Sequence, residues 1–113
     1  MTRVPTERTL AIRTLNNRLR MGRIGGRIIL SAGITALDES FVREILVAVA
    51  CFEGFTPDND PWGEHDCGLV EWEGNRVLFK IDYYDPTFER LSDDPTDPCK
   101  TERVMTVMFA TEY

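Results

Sequence analysis

Between Arg76 and Tyr83 the chain alternates. Val77, Phe79, Ile81 and Tyr83 occupy one set of positions, and Leu78, Lys80 and Asp82 the other. Successive side chains of a β-strand point to opposite faces, so this spacing requires a strand with one buried face. Gly68-Leu69-Val70-Glu71-Trp72-Glu73 precedes it across Gly74-Asn75, a turn pair that reads as a hairpin. A lone two-stranded hairpin is marginal in water and needs further strands and a covering layer. The rest of the chain has to provide both.

Residues 6–21 read as a helix, with Leu10, Ile12, Leu15 and Leu19 as its apolar stripe and Gly22 as its stop. Ile28-Ile29-Leu30 reads as a short, well-buried strand. Residues 38–52 form a second helix, with Phe41, Ile45, Leu46 and Val49 inward and Gly54 closing it. Loops are expected over 54–66 and 85–100, where Pro, Asn, Asp and Gly gather, and a last strand from about Arg103 to Ala110. The expected fold class is α+β: two helices packed on one face of a mostly antiparallel four-stranded sheet, in the order α-β-α-β-β-β. At 113 residues this is a single domain, 1–113.

The formal charge of −6 conceals a division. Residues 1–27 carry seven arginines (Arg3, Arg8, Arg13, Arg18, Arg20, Arg23 and Arg27) against Glu7, a balance of +6, and the remainder carries −12. A basic face of this kind is either a solvated helix surface or a nucleic-acid arm. With a pI near 4.7, the acidic body is unsuited to direct nucleic-acid binding and suits a partner with a basic surface. No run approaches the roughly 18 apolar residues of a membrane span, and the Arg-rich start has no secretory pattern. The expected compartment is the cytoplasm. Cys51, Cys67 and Cys99 are odd in number and lack close pairs, so free thiols are expected rather than disulfides or a zinc site, and no cofactor is called for.

Three segments invite chemistry. Gly22-Arg23-Ile24-Gly25-Gly26-Arg27 is Gly-rich and basic, but it precedes a strand, which favours a tight connection over a phosphate loop. The 54–66 loop gathers Asp58, Asp60, Trp62, Glu64, His65 and Asp66. Trp62 and Leu69 stand where a calcium loop needs its fifth-position and twelfth-position ligands, so only a looser Mg²⁺ site stays open. His65, flanked by carboxylates, has the character of a general base, with His65, Asp66 and Asp82 as candidate catalytic residues. Cys67 would point the same way as His65 on an extended chain. The plainer reading is that the acids bond local backbone N–H groups. Third, Lys80, Asp82 and Tyr84 share a strand face that offers either a binding surface or a solvated ion pair, with Trp72 expected nearby.

Phe55-Thr56-Pro57-Asp58-Asn59-Asp60-Pro61-Trp62-Gly63-Glu64-His65-Asp66 and Lys80-Ile81-Asp82-Tyr83-Tyr84-Asp85 resemble the signature segments of a bacterial family catalogued as domain of unknown function 3768. Arg13-Thr14-Leu15-Asn16, Gly26-Arg27-Ile28-Ile29-Leu30-Ser31-Ala32-Gly33 and Glu112-Tyr113 extend the resemblance. It implies a small stand-alone bacterial protein, in some cases carried on mobile elements, and it carries over no catalytic residues. Cys67 stands where the family pattern usually has an aromatic residue, which weakens its case as nucleophile or ligand. The leading expectation is protein–protein interaction through Asp58, Asp60, Trp62, Glu64, His65, Lys80, Asp82 and Tyr84, with inhibition of a nucleic-acid-binding host defence complex as one form. The alternatives are a metal- or His-assisted hydrolase centred on Asp58, Asp60, His65, Asp66 and Asp82, and a nucleic-acid-binding regulator using Arg8, Arg13, Arg18 and Arg23.

Overall fold

The expected strand Val77–Tyr83 is the middle of β3 (Asn75–Tyr84), one of two inner strands in a four-stranded sheet. The computed structural model describes residues 4–113, so Arg3 lies outside the described residues. In chain order the elements are α1 (Glu7–Gly22), β1 (Arg27–Leu30), α2 (Ala32–Thr35), α3 (Glu39–Ala50), β2 (Cys67–Trp72), β3 and β4 (Glu102–Phe109). A 3₁₀ turn, Ala110–Glu112, follows. Among the described residues, no helix is long and apolar enough to cross a membrane.

The α+β class holds, with two corrections. A four-residue helix, α2, stands between β1 and α3, started by the Ser31 side chain accepting from the Ile34 N–H. The sheet order is β1-β4-β3-β2, and β1 pairs with β4 in parallel, so the sheet is mixed rather than mostly antiparallel. The reason lies in the helical crossover. Between β1 and β2, α2 and α3 return the chain to the end where β1 started, so β1 and β2 run the same way at opposite edges. The β2–β3–β4 meander then brings β4 alongside β1 in the same direction.

Facing the helices, Val77, Phe79 and Ile81 of β3 meet Met105 and Val107 of β4, and Leu19, Ile34, Ile45 and Val49 close over them. Gly68 lies opposite Phe79, and a Cβ there would sit 2.5 Å from the ring, so this strand position needs glycine. The hairpin turns at Glu73 and Gly74, both left-handed, rather than at Gly74-Asn75. Trp72 therefore pairs with Asn75 on the face that carries Val77 and packs against Phe41 at 5.5 Å, away from Lys80. As an edge strand, β1 leaves Ile29 half exposed, where a well-buried strand was expected.

The Gly-rich stretch is a helix stop and a tight connection. Arg23 is left-handed and its N–H bonds back to the Leu19 carbonyl. A Cβ on Gly26 would sit 2.6 Å from the Arg103 carbonyl, so glycine lets β1 enter beside β4.

Candidate functional site

Helix α1 turns a polar stripe inward. Arg13, Asn16, Asn17 and Arg20 follow the i, i+3, i+4, i+7 spacing of one helix face, and Asn16 and Arg20 are buried. The expected stripe is only partly right: Ile12 and Leu19 are buried and Leu10 is exposed. What the inward stripe grips is the 54–66 loop and the polar end of the sheet.

Asn16 uses both amide hydrogens, donating to the Glu64 carbonyl at 3.0 Å and to the Tyr83 hydroxyl at 2.8 Å. Its own oxygen accepts from Arg103 Nε at 2.9 Å. Tyr83 passes its proton direction on, donating to Glu64 Oε1 at 2.7 Å. Arg103 lies opposite Tyr83 in the ladder, over its ring, and also donates to the Pro95 carbonyl. Burial and the bond to the Glu64 carboxylate both push the Tyr83 phenol upward, keeping it a neutral donor.

Arg20 holds the other end. One of its terminal nitrogens donates to the carbonyls of Val49 and Ala50 at the end of α3 and of Phe52 just beyond it, at 2.9–3.0 Å. The other donates to Asn17 Oδ1 at 3.1 Å. A cation at a helix C-terminus also complements the helix dipole. Because Asn17 Oδ1 is an acceptor, the contact from His65 Nδ1 at 3.1 Å requires Nδ1–H, leaving Nε2 as the free ring nitrogen. His65 stacks on Phe55 at 3.9 Å and nearly parallel, and Arg20 lies over Phe55 as well. Burial, with Arg13 nearby, lowers the His65 pKa against the raising effect of Asp60. The imidazole is neutral at pH 7.

Asp60 is buried and accepts the His65 backbone N–H at 3.2 Å on both oxygens, with His65 Nε2 3.8 Å from Oδ2. The loop also staples itself. Thr56 N–H donates to Asn59 Oδ1, and Asn59 Nδ2 donates to the Gly54 carbonyl. Arg13 Nε donates to the Gly63 carbonyl at 2.7 Å. Along this seam runs an open groove of about 390 Å³, with Pro5, Thr9 and Arg13 on one wall and Phe55, Asp60 and Trp62 on the other.

The expected site residues separate onto two surfaces. Asp60, Trp62 and His65 line the groove, and Asp58 is exposed on the same loop outside that lining. Glu64 faces Tyr83 within the network. Lys80, Asp82 and Tyr84 lie across the sheet on the face without helices, where Lys80 donates to Asp82. Of the five residues the hydrolase reading gathers, only Asp60 and His65 reach the groove. Among the described residues, no group of three or more His, Cys, Asp or Glu side chains is placed to hold a metal ion. His65 is left-handed, which breaks the extended course toward Cys67, and Cys67 pairs with Lys80 on the open face. Asp66 is half-buried, and desolvation with Glu64 nearby raises its carboxyl to about 6. The four arginines of the regulator reading share no single exposed face. Arg8 pairs with Asp94 at 3.1 Å, Arg13 turns inward, and Arg18 and Arg23 stay exposed.

Asn16, Asn17, Arg20, Tyr83 and Arg103 are absent from the expected set. The signal for them was the Arg13-Asn16-Asn17-Arg20 spacing together with two adjacent asparagines, poor helix formers, in mid-helix.

No curated protein and no solved structure matches this chain. One family profile does, described as Protein of unknown function (DUF3768), over residues 30–112. That span takes in the 54–66 loop and all of β2, β3 and β4, but not α1. It covers well over half of the sequence, and the chain belongs to this family.

Proposed function

We propose that this protein acts by binding a protein partner that presents a basic surface, through the 54–66 loop and the groove beside it. The observation that carries this reading is the fixation of the loop. Arg13, Asn16 and Asn17 hold it from α1, and Asp60 and Asn59 hold it from within, so its outer side is presented ready-made. That outer side carries Trp62, 63% exposed, with Asp58 exposed nearby. An aromatic on a held loop, with the exposed Asp58 carboxylate on the same loop, gives contact area at low ordering cost and favours a cationic partner. Proteins whose basic grooves ordinarily hold nucleic acid fit that description.

The test is retention of host proteins on the immobilised chain at 50 and 500 mM salt, comparing the unaltered protein with Trp62→Ala and Asp58→Asn. A specific basic species should be retained by the unaltered chain, weakened roughly tenfold or more by Trp62→Ala, and released by salt, since the Debye length falls to about 4 Å near 500 mM. Equal retention by both variants, or retention indifferent to salt, overturns the reading.

A further inference from the structure

The helices cover one face of the sheet, and the other, exposed or half-exposed along its rows except at the buried Val104, has an internal order of its own. In register across the strands, its first row is Glu71 and Arg76. The next is Leu69, Leu78 and Met108, and after it come Cys67, Lys80, Thr106 and Ile29. Asp82, Val104 and Arg27 form the fourth. Beyond them, Phe88 of the 85–100 loop lies over Arg27 and beside Tyr84, forming a shoulder at that end. Leu69, Leu78 and Met108 make one apolar row, with Leu69 47% exposed, flanked by Glu71 and Arg76 on one side and by Lys80 and Thr106 on the other, and Ile29, 50% exposed, stands at the far edge beyond them. An exposed apolar row rimmed by polar groups suits an interaction surface.

Along β3 the bare-face residues read Arg76, Leu78, Lys80 and Asp82. Reversed, the series places an acid where a base stood. We propose that this face is the contact between two copies of the chain, packed sheet to sheet about a two-fold axis that crosses the strands near Phe79. Under that operation Arg76 of one copy meets Asp82 of the other, twice over, and Leu78 meets the aliphatic stem of Lys80. Lys80 keeps its ammonium on Asp82 of its own chain, and Arg76 keeps Glu71, 3.7 Å away, as its own-chain partner while its guanidinium reaches the Asp82 of the other copy. Packed sheets lie about 10 Å apart with strands within roughly 30° of alignment, which these rows allow.

The 28 strand residues span about 440 Å² of sheet at ordinary strand dimensions, which puts the contact at the small end of interfaces and calls for the micromolar range tested below. The groove on the helix side remains open in the pair, so this contact is independent of the binding function proposed above.

Sedimentation equilibrium of the full chain from 5 to 200 µM reads the outcome. The mass should rise from 12.9 kDa toward twice that value for the unaltered protein. Arg76→Asp and Asp82→Arg should each shift the dimer constant at least tenfold toward monomer. Mixed one to one, the two variants should recover the dimer, because each mixed contact pairs opposite charges. Far-ultraviolet circular dichroism verifies that each variant is folded, and Leu69→Glu serves as a second interruption of the face. A monomer at 200 µM overturns the proposal. A dimer indifferent to Arg76→Asp, Asp82→Arg and Leu69→Glu, or charge variants that stay monomeric when mixed, overturns it equally.

Discussion

Asp66 shows how one side chain's surroundings set the direction of a pH effect. Its folded carboxyl titrates near 6, against an ordinary value of 3.8, because burial and the Glu64 charge both oppose ionisation. Between those two values the folded chain keeps a proton that the unfolded chain has released, so stability falls as pH rises through this window. Above it, the ionised group opposes folding by roughly 1–2 kcal/mol, after allowance for its partial exposure. Asp66→Asn should therefore raise stability by about that amount in urea unfolding at pH 7.5 and leave it unchanged at pH 3.5. Equal stability at pH 7.5 would mean that water reaches the carboxyl freely. His65 works in the opposite sense. Its pKa is lowered in the folded state, so its share of stability is complete above its ordinary 6.5 and is lost as pH falls below that value. Comparing the variant with the unaltered chain at each pH cancels this common background.

At the scale of elements, α1 and the 54–66 loop form one unit, joined by hydrogen bonds more than by apolar packing. Asn16 is its centre: it is completely buried and makes three hydrogen bonds to three different segments. Asn16→Leu keeps the volume and orphans the Glu64 carbonyl and Arg103 Nε, and unpaired buried groups cost about 1–3 kcal/mol each. A loss of about 2–4 kcal/mol is expected in chemical denaturation, with faster amide exchange over residues 60–66. A change under about 0.5 kcal/mol would show that apolar packing holds the loop. This unit was also the least legible part of the sequence. Apolar periodicity found α1 through Ile12 and Leu19, but it is blind to a stripe of Asn and Arg turned inward, which reads as solvated surface until the carbonyls it serves are known. Local signals did better elsewhere. The β3 alternation located the core face, and Lys80, Asp82 and Tyr84 do share the other side. The four residues of α2 were too short to register against their surroundings.

For the molecule as a whole, the pairing of β1 with β4 lay outside any local signal, since Arg27 meets Val104, 77 residues further on. A second clasp secures that edge. The Glu112 carboxylate accepts from Ser31 Oγ, the Gly33 N–H and the Phe109 N–H at 2.7–2.9 Å, and these bonds, the Ser31 hydroxyl first, hold its pKa below the usual range. The clasp is therefore complete above an ordinary glutamate pKa and is lost as pH falls through the lowered one. Glu112→Ala should quicken amide exchange across β1 at pH 7 while leaving Phe79 and Ile81 in β3 protected. Uniform acceleration of both strands would show instead that the clasp supports the entire sheet. The division of charge also takes a different form in three dimensions. Arg20 and Arg103 are buried and serve carbonyls, so part of the basic N-terminal surplus and of the body's few cations is withdrawn from the exterior.

The non-consecutive strand order bears on biosynthesis. As the chain leaves the ribosome, β1, both later helices and the β2–β3 hairpin all emerge before β4, the inner strand that must lie between β1 and β3. Until it arrives, two strand borders stand open with nothing in sequence to shield them, a state prone to mispairing with neighbouring chains. A nascent chain halted anywhere before residue 102 would lack an inner strand, and abrupt stalling there would yield aggregates rather than a partly working fragment.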